Sequence, residues 1–132
     1  VIFVDTSFWI ALRMRRDTHH EAAVGLSRTY AAAPLITTSH VRGETWTFVR
    51  RRTGYDAAVS FLDSLERSPR VEVVRVDEDA ERDALQWLRR RDEREYSFVD
   101  ATSFAVMRKR RIREALAFDG DFAAAGFVEL GP

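Results

Sequence analysis

Cysteine is missing from this chain, so neither a disulfide nor a thiolate zinc site can contribute to its fold. That absence is compatible with a reducing compartment, and a cytoplasmic location is expected. No apolar stretch approaches the roughly 20 residues that span a bilayer, so no membrane partner is expected. The opening residues Val1-Ile2-Phe3-Val4-Asp5 have no basic lead and no long apolar segment, unlike a secretory signal. Val1 in place of an initiator Met points to processing or trimming of the chain. An excess of charge is missing too, with 21 basic against 21 acidic residues, which leaves nucleic-acid binding to be decided by how the charges are distributed. Lysine is nearly absent: Lys109 is the single one, and the other basic residues are Arg. Genome composition explains that bias better than phosphate recognition does, although guanidinium suits phosphate. Three phosphate and nucleophile signatures are also lacking: GxxxxGK[ST], GxGxxG and a serine elbow.

What is present suits one domain over residues 1–132. The chain is 45% hydrophobic, enough for a packed core, and shows no repeat, linker or low-complexity tract. Val1 to Val4 reads as a strand buried on both faces. Thr6 or Ser7 caps a helix through Leu12, and a second helix is expected from about His19 to Ala32. Leu35 to Thr38 is a strand, followed by a helix from Ser39 or His40 to about Arg52 that Gly54 ends. Asp56 to Arg67 is helical in spacing, and Val71 to Val76 is a Val-rich strand. Asp77 to Arg94 is the clearest helix, acidic at its start and basic at its end, as the helix dipole favours. Ser97 begins a helix to about Arg110. Ala115 to Phe118 and Phe127 to Leu130 are short strands around, at most, one helical turn at Phe122 to Ala125. Strands alternating with helices define an α/β fold with a mainly parallel sheet of four to five strands.

Four short acidic islands stand out: Val4-Asp5-Thr6-Ser7, Gly43-Glu44-Thr45-Trp46, Phe98-Val99-Asp100-Ala101 and Phe118-Asp119-Gly120-Asp121-Phe122. Each sets a carboxylate in an apolar frame, where an unpartnered charge is costly. If Asp5, Glu44, Asp100 and Asp119 converge, their repulsion needs a cation, and oxygen-only ligation favours Mg²⁺ or Mn²⁺. Asp5 and Asp119 each follow a strand, and the C-terminal ends of strands are where α/β folds bind ligands.

Each carboxylate alone has a purely structural alternative. Asp5 can act as an N-cap. Glu44 shares a helix face with Val41 and Phe48, which should turn inward, or it sits at the edge of that face and reaches water. Asp100 stands three residues after Ser97, a capping-box spacing. Asp119-Gly120-Asp121 is a turn sequence in which Asp121 can cap. His40 and Glu44 have i, i+4 spacing that can bind zinc, but HExxH is absent.

Together, in this order, the four islands resemble the PIN-domain nucleases, over Val1 to about Val128. Within that family the chain is similar to the VapC-type toxins of bacterial toxin–antitoxin pairs, the mycobacterial ones above all. The resemblance implies a three-layer α/β/α fold and a divalent-metal-dependent endoribonuclease. Its substrates would be structured RNA, transfer RNA anticodon regions or the sarcin–ricin loop of large ribosomal RNA. It implies a cognate VapB-type antitoxin that occludes the site, and a toxin homodimer. Asp5, Glu44, Asp100 and Asp119 would hold one or two Mg²⁺ or Mn²⁺ ions, with Asp121 as a further or water-mediated ligand. The chain departs in having Ala117 where many members have Thr.

Thr6 and Ser7 are expected to orient the ligands. Arg13, Arg15, Arg16, Arg50, Arg51, Arg52 and the 108–113 segment are candidates for holding RNA, or are solvated helix ends. Trp9, Trp46 and Tyr96 are candidates for stacking on bases, although core or interface packing suits the two Trp better. Two rival readings remain: a receiver-like phosphoacceptor domain, which would need Lys109 at the site, and a PIN-fold binding module that has lost activity.

Overall fold

The computed structural model describes residues 1–131. Five strands form one parallel sheet: β1 (Ile2–Val4), β2 (Leu35–Thr38), β3 (Val71–Val74), β4 (Glu114–Leu116) and β5 (Val128–Glu129). Seven helices connect them: α1 (Thr6–Arg13), α2 (His20–Thr29), α3 (Ser39–Arg52), α4 (Tyr55–Arg67), α5 (Glu78–Leu88), α6 (Phe98–Arg110) and α7 (Asp121–Ala124). The strand order is β3-β2-β1-β4-β5. The chain builds outward from β1 to β3, then returns to the other side of β1 with β4. That reversal makes a switch point beyond the C-terminal ends of β1 and β4, the usual ligand position in such sheets.

All three residues of β1 are buried, so both faces of the central strand are covered. Alternation sends Phe3 toward α7, where its ring lies 5.8 Å from Phe122, and Phe122 in turn meets Phe104 of α6 at 4.8 Å. The core also takes Phe8 and Trp9 from α1, Leu26 from α2 and Phe61 and Leu65 from α4. Helices α5 and α6 approach closely through a seam of small residues, Ala80, Ala84, Ala101 and Ala105. The three-layer expectation is met.

Several boundaries differ from expectation for identifiable reasons. Asp5, rather than Thr6 or Ser7, caps α1. Helix α2 ends at Thr29, three residues before Ala32. Helix α5 stops at Leu88 instead of Arg94. Residues 89–95 are all charged, so a continued helix would have no apolar face to bury. Gly54 ends α3 at a φ of 113°, a conformation open to glycine, and opens α4 directly.

Candidate metal centre

The site is assembled from helix starts that follow the reversal in strand order. Asp5 leaves β1 and caps α1, accepting the Ser7 N–H at 3.1 Å and the Ser7 hydroxyl at 2.8 Å on Oδ2. The same hydroxyl accepts the Phe118 N–H at 3.0 Å, which ties the exit of β1 to the exit of β4. Asp100 sits in the first turn of α6 in a complete capping box with Ser97, both bonds at 3.0 Å. Capping and site-building are therefore combined in one side chain.

Asp119 comes from the loop after β4, and Asp121 opens α7. Asp119 Oδ1 accepts the Asp121 N–H at 3.1 Å, and Gly120 between them adopts a φ of 80°. Glu129 of β5 braces this loop from below, accepting the N–H groups of Gly120 and Ala123. Phe118 is clamped between Phe8 at 5.7 Å and the exposed His19 ring, which lies nearly parallel at 4.6 Å.

Asp100, Asp119 and Asp121 offer carboxylate oxygens within 4.8 Å of one another. Asp5 is electrostatically part of the group: the charges of Asp119 and Asp100 both act on it. Burial, reinforced by those charges, pushes the Asp5 carboxyl up from 3.8 to about 7. Burial also raises Asp100 to about 6, with Asp119 and Asp121 adding to it against the Ser97 bonds. Asp119, at the exposed rim, is raised by displaced solvent first, then by the Asp121 and Glu129 charges.

Hydrogen bonding shows what this donor set fits. Asp5 and Asp100 use only Oδ2, and Asp119 and Asp121 use only Oδ1, for bonds within the described residues. Each carboxylate thus keeps one oxygen uncommitted. Four hard oxygen donors, three of them raised in pKa by burial first and by one another's charge second, fit a divalent cation.

Glu44 is placed differently from its expected inward position. The buried stripe of α3 is Val41, Thr45 and Val49; Glu44 stands on the flank of that stripe and is exposed. It shares a shallow groove with Thr47, Phe48, Arg51 and Arg52, and it is outside the three-carboxylate cluster. One turn earlier, His40 bonds Thr102 Oγ1 of α6 at 3.2 Å, so that face of α3 is directed toward the helix that carries Asp100. That bond engages His40 Nδ1 in helix packing rather than in a paired zinc site with Glu44.

Of the other candidates, Thr6 is buried and its hydroxyl has no partner within the described residues. Trp9 is buried in the core, with its indole N–H 3.4 Å from Thr37 Oγ1, and is not a stacking platform. Trp46 and Tyr96 are half-buried against Tyr55 and Trp87. Arg13 is held by Ser60 and the Phe61 ring, Arg50 lies over Tyr55 and Arg52 over Phe48, while Arg15, Arg16 and Arg51 are exposed. In the 108–113 segment, Arg108, Lys109 and Arg110 pair with Asp83, Asp77 and Glu72. Lys109 is therefore engaged away from the acidic group, which removes the receiver-like reading.

One residue of the site escaped the sequence. Arg94 Nε donates to Asp121 Oδ1 at 2.8 Å, and Nη2 donates to the Asp119 carbonyl at 3.1 Å. Its signal was the run of charges after Leu88, which cannot stay helical against a core.

Residues 2–128 match the PIN domain family, and the chain belongs to that family of metal-dependent nucleases. It is similar at 54% identity to "23S rRNA-specific endonuclease VapC20" of Mycobacterium tuberculosis, in strains H37Rv and CDC 1551, over all of this chain and 99% of the relative. The crystal structure of M. tuberculosis VapC20, described as a sarcin–ricin loop cleaving toxin, superposes with a TM-score of 0.91 over the whole of both chains. No helix among the described residues is long and apolar enough to cross a membrane.

Proposed function

We propose that this protein is a Mg²⁺- or Mn²⁺-dependent endoribonuclease toxin that cuts structured RNA, with large-subunit ribosomal RNA as its target. A VapB-type antitoxin would neutralise it in the cytoplasm. The observation that carries the reading is the set of uncommitted oxygens on Asp5, Asp100, Asp119 and Asp121 around the exits of β1 and β4. The choice of ribosomal RNA rests on the full-length similarity to a relative named for that substrate.

Asp5, Glu44, Asp100 and Asp119 would hold one or two ions, with Asp121 as a further or water-mediated ligand. Glu44, exposed on the flank of α3 and outside the cluster of aspartates, would have to swing toward α6 to reach the ion. A bound divalent ion supplies Lewis acidity, lowering the pKa of water and offsetting charge on the phosphate. Ser7 holds Asp5 and Phe118 together, and so fixes the spacing of the β1 and β4 carboxylates. Thr6 follows Asp5 in the chain, and its buried hydroxyl has no partner among the described residues. Water is the nucleophile and the 3′-oxygen the leaving group, so the P–O3′ bond breaks and the products carry 5′-phosphate and 3′-hydroxyl ends. Arg13, Arg15, Arg16, Arg50, Arg51 and Arg52 hold RNA through phosphate contacts.

The test is purified protein added to bacterial ribosomes with millimolar Mg²⁺, followed by sequencing of RNA ends. A single cut in the large-subunit rRNA supports the reading, and cuts confined to transfer RNA would reassign the substrate. The protein is also proposed to be a homodimer of single PIN domains, on its aromatic content and on exposed Tyr55, Phe98 and Val128. Sedimentation showing only a 15.2 kDa monomer at micromolar concentration would contradict that.

A further inference from the structure

We propose that Arg94 is a further catalytic residue of this site: its guanidinium, anchored by Asp121 and the Asp119 carbonyl, takes a non-bridging oxygen of the phosphodiester being cut. The inference rests on the nuclease reading and adds to it a residue and a role for Asp121.

Helix α5 ends at Leu88 because nothing from Arg89 to Glu95 can be buried, and this segment must reach Ser97, the cap of α6. Aromatic contacts fix both of its ends. Arg91 lies 5.3 Å from the Trp87 ring, and Tyr96 packs edge-on against Trp87 at 4.7 Å and Phe104 at 5.9 Å. Arg94, between these anchors, is thereby carried to the carboxylate cluster.

Its seat is shaped for it. A Cβ on Gly120 would stand 3.2 Å from Arg94 Nη2, so glycine provides both the left-handed backbone and the close approach. Among the described residues, Arg94 is the one arginine hydrogen-bonded to a member of the cluster; the paired arginines at 82, 108 and 110 bond Asp79, Asp83 and Glu72 instead. A guanidinium has five N–H donors. Two are used here, so three remain, on a side chain that is 41% exposed.

A planar fork with free donors beside a cation-holding carboxylate group matches the chemistry of a phosphate with two non-bridging oxygens. Fixed in advance, it would meet charge developing on the phosphoryl oxygens without reorganising. Asp121 is then a positioning residue: its Oδ1 is committed to Arg94, whatever its other oxygen does.

The experiment compares the unmodified protein with Arg94→Ala, Arg94→Lys, Asp121→Asn and the Arg94→Ala/Asp121→Asn double variant. It measures kcat and KM on an rRNA fragment, Mn²⁺ affinity by calorimetry, and folding by circular dichroism. Arg94→Ala is expected to lower kcat about 10²-fold without weakening Mn²⁺ binding. Arg94→Lys should restore part of that loss, since it returns charge without the fork. At saturating Mn²⁺, Asp121→Asn should act in the same direction, and the double variant should be no worse in kcat than Arg94→Ala alone. Arg94→Ala cutting at the unmodified rate would overturn the proposal. So would Asp121→Asn losing Mn²⁺ affinity while Arg94→Ala keeps full kcat. RNA binding in an Asp100→Asn background separates this idea from the nuclease reading. Arg94→Ala should reduce the salt dependence of binding by about one phosphate contact even if no cleavage is found, and an unchanged slope would overturn the proposal.

Discussion

Ser7 and Asp5 form the joint on which the site depends. One hydroxyl donates to Asp5 Oδ2 at 2.8 Å and accepts the N–H of Phe118 at 3.0 Å, so the two strand exits that carry Asp5 and Asp119 are fixed to each other. Ser7→Ala removes both bonds and leaves a partly buried N–H without its acceptor. A stability loss of about 1–3 kcal/mol is expected. Metal affinity should fall about 10–100-fold, as when an outer partner of a ligand is lost. Thermal melting and Mn²⁺ calorimetry check the two effects, and unchanged affinity in a folded variant would remove Ser7 from the site.

The raised carboxyls make stability depend on pH. Asp5 at about 7 and Asp100 at about 6 both lie above the unfolded value of 3.8, so both bind protons more tightly when folded. Their contribution is full below pH 3.8 and is lost as pH rises through about 6 and then about 7. In EDTA, these groups should therefore lower the melting temperature between pH 5.5 and 8, and Asp5→Asn should flatten that decline. A decline that is identical in Asp5→Asn would show that Asp5 is not its source.

A cation should cancel the same repulsion. At pH 8, with metal at about 100 times its Kd, roughly 2.7 kcal/mol of stabilisation is expected. At pH 5 the gain should shrink, because protons compete for the same oxygens. Melting curves in Mg²⁺ and Mn²⁺ at both pH values measure it; no gain at pH 8 would count against a preformed site.

Much of the scaffold was legible because local chemistry and tertiary packing agree there. Leu35–Thr38 is apolar and β-branched and is a buried central strand; Ser97 and Asp100 have capping-box spacing and form that box. The family was legible from four islands taken together, each too ordinary to identify it alone. Glu44 was misplaced because half-buried Phe48 drew the inward face toward it, while Thr45, a polar residue, takes the buried position. Arg94 was hidden by the dipole-matched charges of residues 77–94. They fit a long helix electrostatically, but the hydrophobic face ends at Leu88. Contacts between segments distant in sequence, such as Arg94 with Asp121, leave no local pattern to detect.

Glu44 is the carboxylate whose role the fold supports least directly. Because its side chain is exposed, Glu44→Gln should change stability by no more than about 0.5 kcal/mol. If it swings onto a bound ion, RNA cleavage should still fall about 10²–10³-fold. Single-turnover cleavage by the folded variant decides this, and full activity would confine the centre to the four aspartates.

Asp100→Asn tests most directly whether converging carboxylates hold the ion that cuts RNA. Asn retains an acceptor for the Ser97 N–H, so α6 stays capped while the charge is removed. The measurement is the cleavage rate of purified, antitoxin-free protein on bacterial ribosomal RNA in Mg²⁺, with product ends sequenced and circular dichroism run alongside. The expected result is a native spectrum, a rate about 10²–10³ lower than the unmodified protein, 5′-phosphate ends, and no cutting by either protein in EDTA. Full cleavage by well-folded Asp100→Asn, cutting that survives EDTA, or 2′,3′-cyclic phosphate ends would contradict the account.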